Sequence, residues 1–492
     1  MFYFFTLALP PSEHLISLQS SITTHLSEAF KKHIEEHNKE VKKNRKVLSI
    51  ILDIILLCGH QDLSLRGHDE SNDSVNPGVF RSLLDFASTL DEDMQQRAIK
   101  MHSNTIQDDL LLSCLCVYKS LIKKEISSAS FVSVLADDTT DFSESVQTVI
   151  VFRYLVKDEV KERFWGFFLP ENQKASGISG CILNELDSVL DNNVNKLVCQ
   201  TYDGASVMSG KNQGVQAKIQ EKYRCAWFVH CHAHQVNLIV ANSCNSNKGA
   251  RIFFSNVEGL TNFFSKSPQR LNVLLEHFSD RLPRNSGTRW NFKHRSITKI
   301  KENFNKIVLA LSTLENGNFS KETVSRASGF LKILNSSDFN FWLSLFYRVL
   351  YAVNIFFSKM QKLNLTVDET ESSMETFKSE MQIIRNSNNT VSEQNSLCQQ
   401  AKEVIDNIIV RVTSRFKFTG HLLIHQLFDR EKFSLYKNNF PSSLVSSVKT
   451  AYPFINIEKL ENELIAFYPR VDIPNFYNCK ELISIRIIDP SF

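Results

Sequence analysis

Four short stretches carry side chains whose types and spacing suit chemistry. "LADDTTD" (135–141) ends an apolar run in Asp137, Asp138 and Asp141, and "TYDGAS" (201–206) ends another in Asp203. Carboxylates at the ends of two neighbouring strands are the oxygen ligands that hold Mg²⁺ or Mn²⁺ for phosphodiester chemistry, in which two ions about 4 Å apart activate a water and stabilise the leaving oxygen. The plain alternative is an Asp that closes a turn or caps the next helix. "HCHAHQVNL" (230–238) packs three histidines and a cysteine into five positions, with Cys231 and His234 in CxxH spacing. At a helix start that pair faces one side, but a structural zinc wants four ligands. No second Cys/His pair has matching spacing, so a packing role is expected and no structural zinc. "GTRWN" (287–291) sets Trp290 beside Arg289 in a window, 251–300, that holds nine Lys/Arg against three acids. Arg281, Arg284, Lys293 and Arg295 belong to it. Cations around an aromatic neutralise phosphates and stack an unpaired base; a solvated helical face anchored by one Trp has the same composition.

The elements that must position these residues change character along the chain. Residues 20–58 read as one helix, charged in "EAFKKHIEEHNKEVKKNRK" and apolar afterwards, followed by a polar loop at 65–78 and helical periodicity in "VFRSLLDFASTL" and 105–128. At 131 strands begin. "FVSVLADD", "VQTVIVFRYLV" and "ERFWGFFL" are rich in β-branched and aromatic residues, the last two forming a hairpin around "KDEVK". A helix at 176–190, a strand "KLVCQTYDG", a helix to about 223, a strand "CAWFVHC" and a helix from "AHQVNLIVANSC" complete a mixed α/β layer. From 251 to about 468 the pattern is helical throughout, interrupted at 281–291 and 386–400.

The totals bound the function classes. A chain of 492 residues has room for two to four domains. Its 37 Phe against 15 Gly and 11 Pro favour a helix-rich body. A net charge of +3 argues for no polyanion or membrane partner by itself; only a local patch does. The opening "MFYFFTLALPPSEH" has no basic residue ahead of its apolar run and soon meets Pro10-Pro11, which argues against a secretory signal. "VLSIILDIILLC" (47–58) is too short to span a bilayer and carries Asp53. Ten cysteines without regular spacing suit a reducing compartment.

Taken in order, "LADDTTD", "CQTYDGASVMSG", "HCHAHQVNL" and "GTRW" resemble hAT-superfamily transposases, and in particular the zinc-finger MYM-type and repressor-like domesticated relatives. "HNKEVKKNR", "LRGHDES" and "NPGVFRSLLDF" look like the domain of unknown function that precedes the catalytic core in those proteins. The resemblance implies an α/β plus α architecture: an RNase-H-like mixed sheet core interrupted by a large all-helical insertion, after an N-terminal helical region. It implies that Asp137 and Asp203 are the first two members of an Asp-Asp-Glu triad. It makes Cys231 and His234 the core CxxH that helps to position DNA, and Arg289 and Trp290 the RW motif whose Trp stacks on a flipped base.

Three departures shape the expectation. The third acid of the family sits in a Ser-x-x-Glu-Arg-x-Phe-Ser type motif, which this sequence lacks; likeness runs through "AYPFINIEKLENELIAFY" (451–468), and "IRIIDPSF" then stands where the resemblance expects a last core helix still to come. No zinc-binding N-terminal domain is evident, since the first cysteine is Cys58, and Thr139 stands where many relatives carry Trp. The C-terminal dimerisation segment is likewise missing or incomplete. The expected organisation is an unassigned 1–19, a helical domain at 20–130, an incomplete core at 131–250, a helical insertion at 251–470 and an atypical tail at 471–492. The expected protein is nuclear and truncated or decayed, with weak, non-specific DNA binding and no strand transfer. Rival expectations are an interaction scaffold whose helical block binds proteins, and a nuclease in which Asp138, Asp141 or Glu463 replaces the third acid. Weak Mg²⁺ or Mn²⁺ binding at Asp137 and Asp203 is the one metal implied, and oligomeric state is left open.

Overall fold

The computed structural model describes residues 28–470, apart from 71–73, 98–102, 141–144, 158, 284–289, 363–366, 388–395 and 417–422, together with 479, 482 and 483. The chain divides into two compact units, Met1–Leu121 and Ile122–Phe492. The first unit is built from helices α1 (Glu28–His60), α2 (Val79–Leu90), α3 (Glu92–Arg97) and the greater part of α4 (Asn104–Ser128). Val47, Ile51, Ile54 and Cys58 recur at helical spacing along the apolar half of α1 and pack with Phe80, Leu84, Met94 and Leu110. The charged half is tied down by ion pairs from Lys46 to Asp91 and from Arg97 to Glu40, the latter 2.7 Å. Gly78 ends the polar loop at φ 103°, a conformation open to glycine. A Cβ there would also sit 2.9 Å from the Leu65 carbonyl.

The second unit holds a five-stranded sheet of β1 (Val132–Thr140), β2 (Val146–Val156), β3 (Glu159–Phe168), β4 (Leu197–Tyr202) and β5 (Trp227–His230). Its order is β3-β2-β1-β4-β5. The first three strands form an antiparallel meander, and β4 and β5 run parallel to β1. The parallel pairs need crossovers. These are α5 (Ala175–Leu190), then the short α6 (Ser206–Ser209) with α7 (Val215–Lys222). The single helix expected up to 223 is therefore broken. Gly210 and Gly214 bracket the interruption in close contact, the Gly214 N–H donating to the Gly210 carbonyl at 3.0 Å.

Alternation along the strands sends successive side chains to opposite faces. Val134, Ala136, Ile150 and Phe152 turn to a core shared with Ile178, Ile182 and Leu186 of α5 and Val215 and Ile219 of α7. The end of α4 belongs there too: the Tyr154 hydroxyl donates to Glu125 at 2.7 Å, and Arg163 lies 3.4 Å from the same carboxylate. These hydrogen bonds, that of Tyr154 first, hold the Glu125 carboxyl below its ordinary range. The opposite face shares Phe131 and Val198 with the C-terminal helices α17 (Leu423–Leu427), α18 (Phe433–Asn438), α19 (Ser442–Ala451) and α20 (Ile457–Phe467).

Between β5 and α17 stands the helical block: α8 (His232–Ser246), α9 (Lys248–Ser265), α10 (Pro268–His277), α11 (Trp290–Glu302), α12 (Phe304–Asn316), α13 (Lys321–Leu334), α14 (Ser337–Met360), α15 (Val367–Ser387) and α16 (Ser396–Arg415). One continuous core runs from Val236 to Phe416. Helix α14 is long and apolar enough by composition to cross a membrane, yet it is the block's central helix, burying Trp342, Phe346, Val349, Val353 and Phe356 among its neighbours. The sequence places residues up to 468 in one helical run. The cores divide it instead near 416, and α17–α20 pack on the sheet. An amphipathic stripe fixes which side of a helix is buried, not against what, which is why the division is invisible in the periodicity.

Candidate functional site

The parallel pairing of β1 with β4 sets Val134 opposite Gln200 and Leu135 opposite Thr201. Continued by two residues, that register brings Asp137 beside Asp203. On the other side of β4, Tyr202 lies opposite His230, and the Cys231 N–H donates to the Tyr202 carbonyl at 3.1 Å. Asp137, Asp203 and Cys231 thus form one row across the same end of three adjacent strands. The row answers for "HCHAHQVNL": His230 ends β5, Cys231 is the N-cap of α8, and His232–His234 make its first turn.

Each member has its own constraints. Asp137 and Asp138 are both exposed at the end of β1, and the Asp138 N–H donates to the Asp137 Oδ1 at 3.0 Å. Asp138 accepts from the Thr148 hydroxyl of β2 at 2.9 Å. Although solvent reaches it, desolvation at the strand end lifts its carboxyl above the ordinary value. The Thr148 bond pulls it back, and the charge of Asp203 lifts it further. The half-buried Asp203 accepts from the Ala205 N–H at 3.1 Å, an Asx turn that leads into α6. Gly204 makes that turn fit: a Cβ here would overlap the His230 imidazole, lying 2.5 Å from Nε2.

His230 is the residue that sequence reasoning undervalued. Its Nε2 is buried and has no hydrogen-bond partner among the described residues. Burial first, then the charges of His234 and Arg415, hold the ring down to about 4, with Asp203 acting the other way. The His230 and His234 rings stand 5.7 Å apart. At neutral pH the site therefore carries an uncharged imidazole beside its carboxylates. Burial raises the Cys231 thiol; the first-turn amides of His234 and Ala233 pull it back, without closing a cap hydrogen bond, and Asp137 and Asp203 raise it again. A protonated thiol in this position packs and is a poor nucleophile. Arg415, at the end of α16, had no signal in the sequence, being far along the chain from every strand it serves.

The metal question has a partial answer. Asp137 and Asp203 offer hard oxygen ligands at adjacent strand ends, which suits one loosely held Mg²⁺ or Mn²⁺ completed by water. Among the described residues no three His, Cys, Asp or Glu side chains gather to hold a metal ion. Asp141 lies outside the described residues. Glu463, which reads as a surface position, is half-buried and accepts from the Cys479 N–H at 2.9 Å.

The basic window is only partly described. Arg284 and Arg289 lie outside the described residues, and for Trp290 the backbone alone is described, as the first residue of α11. Arg281 and Arg295 are exposed. Lys293 is not an outward cation. Its ammonium lies 4.9 Å from the centroid of the Phe254 ring, and burial lowers its pKa. Lys299 pairs with Asp280.

Comparison with known proteins places these features. Residues 12–214 match the domain family described as DUF4371, the ZMYM1/FAM200 RNase-like domain, a span that runs through the N-terminal helices and the first four strands and includes Asp137 and Asp203. The chain is 24% identical over 324 residues to the human "52 kDa repressor of the inhibitor of the protein kinase", covering 61% of this chain and 42% of that protein. The mouse protein of the same name is 24% identical over 328 residues, again 61% of this chain and 43% of its own length. The chain thus spans less than half the length of the curated relatives it matches.

Proposed function

We propose that this transposase-derived chain is a nuclear DNA-binding protein that retains the strand-end acids of a phosphoryl-transfer site without carrying out strand transfer. The observation that carries the reading is the row of Asp137, Asp203 and Cys231 at one end of β1, β4 and β5 in a sheet of order β3-β2-β1-β4-β5. In this reading the sheet with α5, α7 and α17–α20 is an RNase-H-like core, and α8–α16 are an insertion within it. Two carboxylates hold an ion loosely, and in-line phosphoryl chemistry needs a further ligand, because a misplacement of about 1 Å costs about a hundredfold in rate. Binding is weak and without sequence preference, carried by phosphate contacts from the outward cations of 251–300, with Cys231 and His234 at the start of α8 helping to position the DNA. Arg289→Ala combined with Trp290→Ala should weaken binding to hairpins with unpaired bases more than to plain duplex. Equal affinity of parent and variant for both DNAs at low salt removes this window from the DNA surface.

A second reading, a protein-interaction scaffold, is favoured by one observation. Helix α4 exposes Val117, Tyr118 and Leu121 on one side, Val117 and Leu121 each more than half accessible. Large exposed apolar faces mark contact surfaces. The relatives' name, a repressor acting on a kinase inhibitor, belongs to those proteins and is compatible with either reading. Salt-dependent hairpin binding by the chain favours the first reading, and its absence the second.

A further inference from the structure

Within the helical block, Phe263 of α9 is fully buried, and two guanidinium groups from two other helices converge on its ring. The Arg270 guanidinium carbon, from α10, lies 4.5 Å from the ring centroid, and that of Arg326, from α13, lies 5.3 Å away. The Nε of Arg270 is buried and has no hydrogen-bond partner among the described residues. The acid at hand is Glu322, 3.5 Å from Arg326 and one turn ahead of it, 77% exposed. An exposed pair of that kind contributes little. Burial, then the charge of Arg326, presses the Arg270 guanidinium below its ordinary value, so the two cations cost each other stability. A ring face attracts a cation but leaves its N–H donors unused. Two cations sharing one ring, with only an exposed carboxylate near them, are what an anion would relieve, and their accessible ends can receive it: Arg270 is half-buried and the Arg326 side chain is 44% exposed.

We infer that Arg270 and Arg326 form an oxyanion site that takes a backbone phosphate of bound DNA, an inference that rests on the DNA-binding reading above. Guanidinium forks match phosphate oxygens in pairs. A phosphodiester is favoured over a protein carboxylate because Arg270 lies inside the window 251–300, whose sequence holds nine Lys/Arg against three acids and whose Arg281 and Arg295 are exposed. The site adds a contact that the "GTRWN" motif does not announce, and it places DNA along α10 and α13 as well as at the start of α11.

The test measures binding of a labelled hairpin against salt for the full chain, for Arg270→Gln with Arg326→Gln, and for Arg270→Lys with Arg326→Lys. The Lys pair preserves charge and the ring contacts, so it separates loss of the fork from loss of fold. The Gln pair should reduce the salt slope by about two units and lower affinity at least about tenfold at low salt. The Lys pair should keep the slope and lose affinity severalfold. Inorganic phosphate should raise the melting temperature of the parent and of the Lys pair, and leave the Gln pair unmoved. An unchanged slope and affinity in the Gln pair would overturn the site. If the parent binds no DNA, the DNA-binding function fails, and the phosphate titration alone decides: stabilisation lost in the Gln pair upholds an anion site, and equal stabilisation or none removes it.

Discussion

The seam between β4 and β5 and the core of the helical block solve burial in opposite ways. Along the seam, Gln200 Oε1, Thr201 Oγ1, the Tyr202 hydroxyl, Trp227 Nε1 and His230 Nε2 are all buried without a partner among the described residues. In the block, Phe253, Trp342 and Phe346 lie in stacked planes, with ring centroids 5.5 Å apart in the pairs of Phe346 with Phe253 and with Trp342, and Phe254 closes on Phe346 at 4.6 Å. An unsatisfied buried polar atom costs about 1–3 kcal/mol, whereas a packed aromatic pair adds about 0.5–1.5 kcal/mol beyond its burial. The stacked rings of the block favour stability. The seam gathers such costly groups next to its carboxylates.

That contrast can be broken from either side. The largest effect is expected in the block. Phe346→Ala removes three ring contacts at once and should cost about 3–5 kcal/mol in denaturant unfolding. A loss under about 1 kcal/mol would mean that the stacked rings do not organise the block. A smaller effect is expected at the seam. Gly204→Val drives a side chain into the His230 imidazole and should cost about 1–3 kcal/mol, the usual penalty of overpacking. His230→Ala in the same chain should recover part of that loss, because the two positions are in contact and couple. Additive losses would show that the ring is not the obstacle and that the turn after Asp203 fails for another reason.

The sheet was legible because strands announce themselves. "VQTVIVFRYLV" is strand-like on composition alone, and the structure forms β2 over Val146–Val156. Carboxylates at the ends of such runs were legible for the same reason: once β1 and β4 pair in parallel, Asp137 and Asp203 have nowhere else to lie. Cys231 and His234 carry the spacing of a helix start, and the structure sets them at the start of α8. His230 was harder. Its importance comes from packing on Gly204 across a strand pair, which no local spacing encodes. The division of the helical run near 416 was illegible, since α17–α20 carry the same amphipathic stripe whether they face the sheet or the block. Arg270 and Arg326 share a ring across 56 positions of sequence, and only the tertiary fold brings them together.

Whether the chain binds DNA through its basic window and leaves it uncut at the acid pair is tested most directly by one gel. Labelled hairpin DNA is incubated with the chain and Mn²⁺, then resolved both natively and after denaturation. The account predicts a shifted band that disappears as salt rises, and strands that remain full length. No shift at low salt would contradict the binding surface. Nicked strands that vanish in Asp203→Ala would contradict the claim about the acids, and would mean that a further carboxylate completes the site.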